Sequence, residues 1–248
     1  MNIALNPDYG HLKTWIEELP CTFERGGEIV YRGRNVVKRF VVGGQTVIVK
    51  KYKIPNIVQR IAYTFWRKSK AMRAYLYAGK LIGMGIKTPV GIACLEQYSG
   101  GLFSTGFFVS EECTYDSVSS VMNDSRTEAD MSVRLGRFIA DMHRKGFLHG
   151  DLNLSNILYR RLSDGGVDFV VIDTNRSLFV DNPSRKQCLD NMKRVTHHRD
   201  LLEHIVRAYA AERKWDGQEC VDEVMKALSD FERMKRMRRM FKIRRKKN

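Results

Sequence analysis

Asp151, Asn156 and Asp173 are the residues of this chain whose types and spacing suit chemistry. The first two stand in His149-Gly150-Asp151-Leu152-Asn153-Leu154-Ser155-Asn156-Ile157-Leu158, and the third ends Val170-Val171-Ile172-Asp173. A carboxylate is thus followed five residues later by an amide, and seventeen residues after that by a second carboxylate. Phosphoryl transfer needs this inventory. One carboxylate accepts the proton of an attacking hydroxyl, and oxygen ligands hold Mg²⁺ against nucleotide phosphates. Asp151 is the candidate base, and Asn156 and Asp173 are the candidate metal ligands. ATP and Mg²⁺ are the expected cofactors. A polar turn between a helix and a strand is the plainer alternative, and the flanking residues argue against it.

Met131, Leu135, Phe138, Ile139 and Met142 recur on one face of a helix. Thr127 with Asp130 suits a capping-box start, and Gly146 suits a stop. Leu154 to Leu158 reads as a loop entering a short strand. Ser163-Asp164-Gly165-Gly166 is a turn, and Phe169 to Ile172 is an apolar strand that delivers Asp173. Helix, loop, strand, turn, strand and Asp is the order of a kinase-like catalytic lobe. There the pattern H-R-D-x-x-x-x-N precedes a metal-binding Asp. Gly150 stands in place of the Arg, and the Asp-to-Asn spacing is kept.

The N-terminal half reads as a small antiparallel sheet. Glu28 to Tyr31 and Asn35 to Phe40 are joined by Arg32-Gly33-Arg34, and Gly43-Gly44 turns into Thr46 to Lys50. Val47-Ile48-Val49-Lys50 fits the strand that carries the phosphate-binding lysine of such folds. Lys51 is its rival, on the opposite face of the strand. The phosphate-covering loop, Arg32-Gly33-Arg34-Asn35, is atypical, and its backbone amides and Arg34 are the groups placed to contact phosphate. Ser69 to Ile82 is the next helix, where a glutamate normally pairs with the strand lysine, yet no glutamate lies between Glu28 and Glu96. Either another carboxylate, Asp173 among them, positions Lys50, or the active geometry is impaired. Pro89 to Leu95 and Gly106 to Val109 read as strands. Ser110-Glu111-Glu112-Cys113 reads as the hinge, so Glu111 and Cys113 are the expected adenine contacts.

Composition sets the bounds. The 248 residues, 43% apolar, suffice for one two-lobed domain. The expected division is about 20–112 for the N-lobe, 113–232 for the C-lobe and 233–248 for a basic tail. No apolar run is long enough to cross a membrane, and no signal pattern opens the chain. The five scattered cysteines form no C-x-x-C pair and suit a reducing cytosol. The net charge is +15, and residues 233–248 hold ten Lys or Arg and no acid. That asymmetry calls for a polyanionic partner. From Val224 through Leu228, Phe231, Met234, Met237 and Met240 to Phe241 an apolar stripe runs at helical spacing beside the basic residues. A helix starting at Asp216-Gly217-Gln218-Glu219 would lie against an anionic membrane surface. Nucleic acid is a poor fit, because Phe241 alone interleaves aromatic character with the basic run.

With those residues placed, the chain resembles the bacterial lipopolysaccharide kinase (Kdo/WaaP) family. The likeness rests on Val49-Lys50-Lys51-Tyr52-Lys53-Ile54-Pro55-Asn56, Arg67-Lys68-Ser69-Lys70-Ala71, Gly85-Ile86-Lys87-Thr88-Pro89, His149-Gly150-Asp151 with Asn156, and Ile172-Asp173-Thr174-Asn175-Arg176. It implies an α+β, two-lobed, protein-kinase-like fold. It also implies ATP-dependent phosphorylation of a Kdo or heptose hydroxyl on lipid-linked lipopolysaccharide core, at the inner face of the bacterial inner membrane from the cytoplasm. Lys50 would then bind phosphate, Asp151 serve as base, and Asn156 and Asp173 hold the metal. Arg176 would bind an acidic acceptor or anchor its loop. Where the family often has a glutamate, Met72 or Leu76 stands here. A kinase acting on a small molecule or a protein, and a non-catalytic pseudokinase, remain as alternatives.

Overall fold

The structure, a computed structural model, describes residues 1–122 and 129–247. It is an α+β protein whose chain divides into two compact units. One holds Met1–Thr114 with Val170–Arg176, and the other holds Tyr115–Phe169 with the chain from Ser177 onward.

The first unit is built on one six-stranded antiparallel sheet. Its elements in chain order are β1 (Asn2–Leu5), α1 (Lys13–Glu17), α2 (Leu19–Arg25), β2 (Glu28–Arg32), β3 (Val36–Val42), β4 (Gln45–Lys51), α3 (Ile57–Phe65), α4 (Lys70–Gly83), β5 (Gly91–Ser99) and β6 (Leu102–Glu111). The strand order is β1-β5-β6-β4-β3-β2. Alternation drives the core. Val47 and Val49 of β4, Phe40 of β3, and Val109 and Phe107 of β6 point to one face. Leu12, Ile16, Leu19 and Phe23 from the first 25 residues cover that face. Lys38 reaches from β3 to the carbonyls at the end of α2, including Gly26 O at 2.7 Å, and so satisfies groups the helix leaves open. The expected strands all form, and β5 and β6 run several residues beyond the apolar stretches that announce them. Four elements were not read from the sequence: β1, α1, α2 and α3.

The second unit is mainly helical. It contains β7 (Asp116–Ser117), α5 (Ala129–Arg144), β8 (Phe147–Leu148), β9 (Ile157–Arg161), the start of β10 (Val167–Val171), β11 (Leu178–Phe179), α6 (Arg185–Met192), α7 (Arg199–Arg213) and α8 (Gly217–Lys247). Met131, Leu135, Ile139 and Met142 are buried along α5, as its periodicity requires. Gly136 lets α7 come close: a β-carbon there would lie 2.7 Å from Ile205 O. Gly146 ends the helix region at φ 81°, and its amide donates to His143 O at 3.0 Å. The expected cap residue Thr127 lies outside the described residues. Asp216 caps α8 through Glu219 N at 2.8 Å. Val224 and Leu228 are buried along α8, whereas Met234, Met237 and Met240 are exposed.

Candidate active site

Lys50 lies on β4, which is paired on both sides by β3 and β6 and is therefore a rigid platform. Its ammonium stands 2.7 Å from Asp173 Oδ1 and 5.5 Å from the centre of the Tyr52 ring. Lys51 points the other way, to Glu24 and over Phe23 and Phe107. A one-residue step along a strand reverses the face, and only Lys50 reaches Asp173.

Asp173 belongs to a segment fastened to the first unit. Val171 N donates to Lys87 O at 2.9 Å, and the Thr88 hydroxyl donates to Val171 O at 2.8 Å. Asp173 itself adopts φ 58°, a left-handed conformation that costs energy for a residue other than Gly or Asn. Asn175 Nδ2 donates to the same Oδ1 at 2.6 Å. The expected helix glutamate has no replacement on α4, where Met72 packs against the apolar group of Tyr52, Ala71 and Cys94. Asp173 takes over as the partner of Lys50. The start of α4 instead offers cations. The Lys70 ammonium is pushed below its usual pKa by burial first, and then by Arg34, Arg176 and Arg73. Arg34, from the atypical loop, thus belongs to a positive cluster with Lys70, Arg73 and Arg176, suited to phosphate.

Asp151 and Asn156 sit in the second unit on a loop held by its own amides. Asn153 Nδ2 and Asn156 Nδ2 both donate to Asp151 O, at 3.0 and 2.9 Å. Asn153 Oδ1 accepts from Ser155 N and Asn156 N. The Asp151 amide donates to Nδ1 of the buried His149 at 3.1 Å, so that ring buttresses the loop. The Asp151 carboxylate meets Arg194 Nη1 at 3.1 Å. The same guanidinium reaches Gly150 O and lies 4.9 Å from the centre of the Phe231 ring. Arg194 brings a guanidinium to the loop from which the usual arginine, at Gly150, is missing. Asp151, Asn153, Arg194, His197, His198 and Lys235 are among the residues lining a cavity of ≈ 550 Å³.

Beneath this loop runs a buried network that sequence reasoning missed. The Tyr209 hydroxyl and His143 Nδ1 are 2.9 Å apart, and His143 Nε2 and Asn191 Oδ1 are 3.2 Å apart. Asn191 Nδ2 donates to His149 O at 2.8 Å. An amide oxygen only accepts, so His143 carries its proton on Nε2 and accepts from Tyr209 at Nδ1. Burial pushes the His143 pKa down to about 4, against the bond to Asn191, which raises it. A signal was present: His143 falls four residues after Ile139, on the apolar face of α5. Nothing in the sequence ties Arg194 or Asn191 to the loop.

The two expected adenine contacts are placed differently. Glu111 is still in β6. Its amide donates to Val90 O at 3.0 Å, and its carboxylate takes the Tyr9 hydroxyl at 2.6 Å. Burial, and then that bond, push the Tyr9 phenol up to about 12. Cys113 is half-buried, one residue before the end of the first unit's long segment.

Each unit supplies oxygen donors of the kind a hard cation takes. Asn156 turns its Nδ2 to Asp151 O, which leaves Oδ1 for a metal, and Asp173 keeps a second carboxylate oxygen. Asn175 Oδ1 is buried without a hydrogen-bond partner. Among the described residues no group of three or more His, Cys, Asp or Glu forms a metal cluster. Mg²⁺ bound by one or two side chains plus nucleotide phosphates needs none.

Sheet, helices and loops together define a protein-kinase-like fold. The likeness to a solved structure described as WaaP in complex with acyl carrier protein agrees, with a TM-score of 0.61 and 19% identity over 94% of this chain and 98% of that one. The family model for "Lipopolysaccharide kinase (Kdo/WaaP) family" matches residues 32–216, and the chain belongs to that family of phosphotransferases. It is 26% identical over 133 residues to the 3-deoxy-D-manno-octulosonic acid kinase of Vibrio cholerae, covering 54% of each chain. It is 29% identical over 175 residues to a probable bifunctional tRNA threonylcarbamoyladenosine biosynthesis protein of Methanothermobacter thermautotrophicus, covering 67% of this chain and 27% of that one. The chain therefore spans about half or less of the length of these two curated relatives.

Proposed function

We propose that the protein transfers the γ-phosphoryl group of ATP to a hydroxyl of a Kdo or heptose residue in the lipopolysaccharide inner core. The observation that carries this reading is the Lys50–Asp173 pair, formed although the usual helix glutamate is missing. The lysine that must face phosphates is fixed by the carboxylate that must face the metal. We assign the whole chain to one kinase-like domain ending in a basic tail.

In this reading Asp151 orients the acceptor hydroxyl and takes its proton, while Arg194 holds the carboxylate in place. Lys50 and Arg34 oppose phosphate charge, and the Glu111–Cys113 stretch meets adenine. Asp173 and Asn156 would hold Mg²⁺, which would supply positive charge against the nucleotide phosphates. Positioning and electrostatics then supply most of the rate, because the phosphoryl-transfer transition state is loose. The cavity beside Asp151, with Arg194, His197, His198 and Lys235 in its lining, suits an acidic acceptor such as a sugar acid or a phosphorylated sugar. The basic end of α8 would hold the protein at the inner face of the bacterial inner membrane, on its cytoplasmic side.

Labelled ATP incubated with extracted lipopolysaccharide-core glycolipid tests this. Label should enter the glycolipid, and delipidated or dephosphorylated acceptors define what is recognised. Label that stays in ATP with every glycan acceptor would sink the reading. The tRNA-modification relative favours a second one, a kinase serving an RNA-modifying assembly. Transfer to protein or RNA with none to glycolipid would establish it.

A further inference from the structure

The helix α3 turns an apolar face to water. Ile57, Val58, Ile61 and Phe65 recur at i, i+1, i+4 and i+8, within one third of the helix circumference. The remaining sides of the helix are pinned to the β5–β6 hairpin. Arg60 donates to Phe103 O at 2.7 Å and to Ser99 O at 3.1 Å, and Phe103 N donates to the Thr64 hydroxyl at 2.9 Å. Tyr63 meets Phe103 edge-on at 5.4 Å. The helix therefore cannot roll its apolar side inward. Trp66 is 79% exposed, Val58 71%, Phe65 64%, Ile54 56% and Ile57 54%. Lys53, Arg67 and Lys68 flank this patch and are exposed too.

The charge around it is one-sided. Residues 29–95 hold fourteen Lys or Arg and not one Asp or Glu. An anionic partner is called for, and the apolar chains decide which. A nucleic acid would meet the cations and leave large apolar side chains in water. The interface of an anionic bilayer takes up both, with the aromatic ring of Trp66 at headgroup depth. We propose that the exposed face of α3, with Ile54 and Trp66, is a membrane-docking surface that inserts at the interface of an anionic bilayer. It is a different segment from the basic end of α8, where Met234, Met237 and Met240 are exposed. The inference stands without the phosphotransfer reading, because vesicle binding needs no turnover.

Co-sedimentation of the full chain with phosphatidylethanolamine vesicles containing phosphatidylglycerol tests it. The double variant Val58→Asp, Phe65→Asp should bind at least about tenfold more weakly than wild type. It should melt at the same temperature, because both side chains are in water. Replacing Lys53, Arg67 and Lys68 by Gln should weaken binding by a similar factor at low salt and by less at high salt. A second measurement needs no destabilising change. Lipid brominated in the acyl chains should quench tryptophan emission in wild type and much less in Trp66→Phe. Wild-type binding by the double variant, or equal quenching of both proteins, overturns the proposal. So would a wild-type dimer that the double variant splits while vesicle binding stays unchanged, since the face would then belong to a second copy.

Discussion

Two segments of this protein each present a carboxylate, and they hold it by opposite means. From Val170 to Arg176 the chain relies on the side chain. Asp173 sits at φ 58°, and its Oδ1 is grasped by Lys50 and Asn175 at once. From His149 to Asn156 the chain relies on the backbone. The carbonyl and amide of Asp151 are fastened by Asn153, Asn156 and His149, and Arg194 alone among the described contacts takes the carboxylate. The first carboxylate is positioned by its own charge, and the second is positioned whatever its charge. Substitution should therefore disturb both geometry and chemistry at the first, and chemistry alone at the second.

The largest effect is expected at Asp173. Asp173→Asn keeps a residue that tolerates φ > 0 but leaves Lys50 without its counter-charge and the proposed metal site without its carboxylate. Phosphoryl transfer should fall below detection while the melting temperature changes little. Full turnover by this variant would break the comparison at its root. Asp151→Asn should lower kcat by at least ~100-fold, the scale of a lost general base, with the KM for ATP unchanged because the loop stays put. A raised nucleotide KM would mean that the backbone bonds do not hold the loop unaided. Lys50→Ala should cost about tenfold to a hundredfold in kcat/KM, as for a lost charged hydrogen bond, and Lys51→Ala much less. The reverse order would put the wrong face of β4 toward the phosphates.

A smaller effect is expected from acid. His143 is neutral in the folded protein, with a pKa of about 4 against an ordinary 6.5. The unfolded chain therefore binds more protons between those values, and stability must fall as pH drops from 6.5 toward 4. His143→Gln should flatten that part of the stability curve, measured by urea unfolding at each pH. Because the network ends on His149 O, the same acid window should loosen the Asp151 loop before it touches the Lys50–Asp173 pair. Equal loosening of both would erase the distinction between them.

Much of this was legible because local rules governed it. The alternation of Val47 and Val49 fixed which way Lys50 points, the α5 stripe named its buried residues, and the Asp151 to Asn156 spacing is a property of one loop. The site's helpers were not legible. Arg194 lies 43 residues after Asp151 and meets it only through folding. Asn191 is one polar residue on a short, mostly polar helix. Leu12, Ile16, Leu19 and Phe23 make a core-covering stripe across a 3-10 turn and two short helices, too broken for one periodic window. The apolar pattern of Ile57, Val58, Ile61 and Phe65 was readable as a face, but residues 57–66 fall between the stretches that carry the family likeness and no element is expected there. Periodicity tells which residues share a face and is silent on what covers it.

The edge strand beside the loop that carries Arg34 has a kinetic consequence. All five residues of β2 are exposed, and its register with β3 shifts between Ile29 and Tyr31. With neither face packed, β2 is held by its ladder to one neighbour alone. Its amides should exchange with solvent deuterium faster than those of β4 or β6, through openings that leave the rest of the sheet intact. The loop that carries Arg34 hangs from this strand, so the least protected stretch of the sheet lies next to the cations that would meet a nucleotide. Deuterium uptake across residues 28–35 should then slow when nucleotide binds.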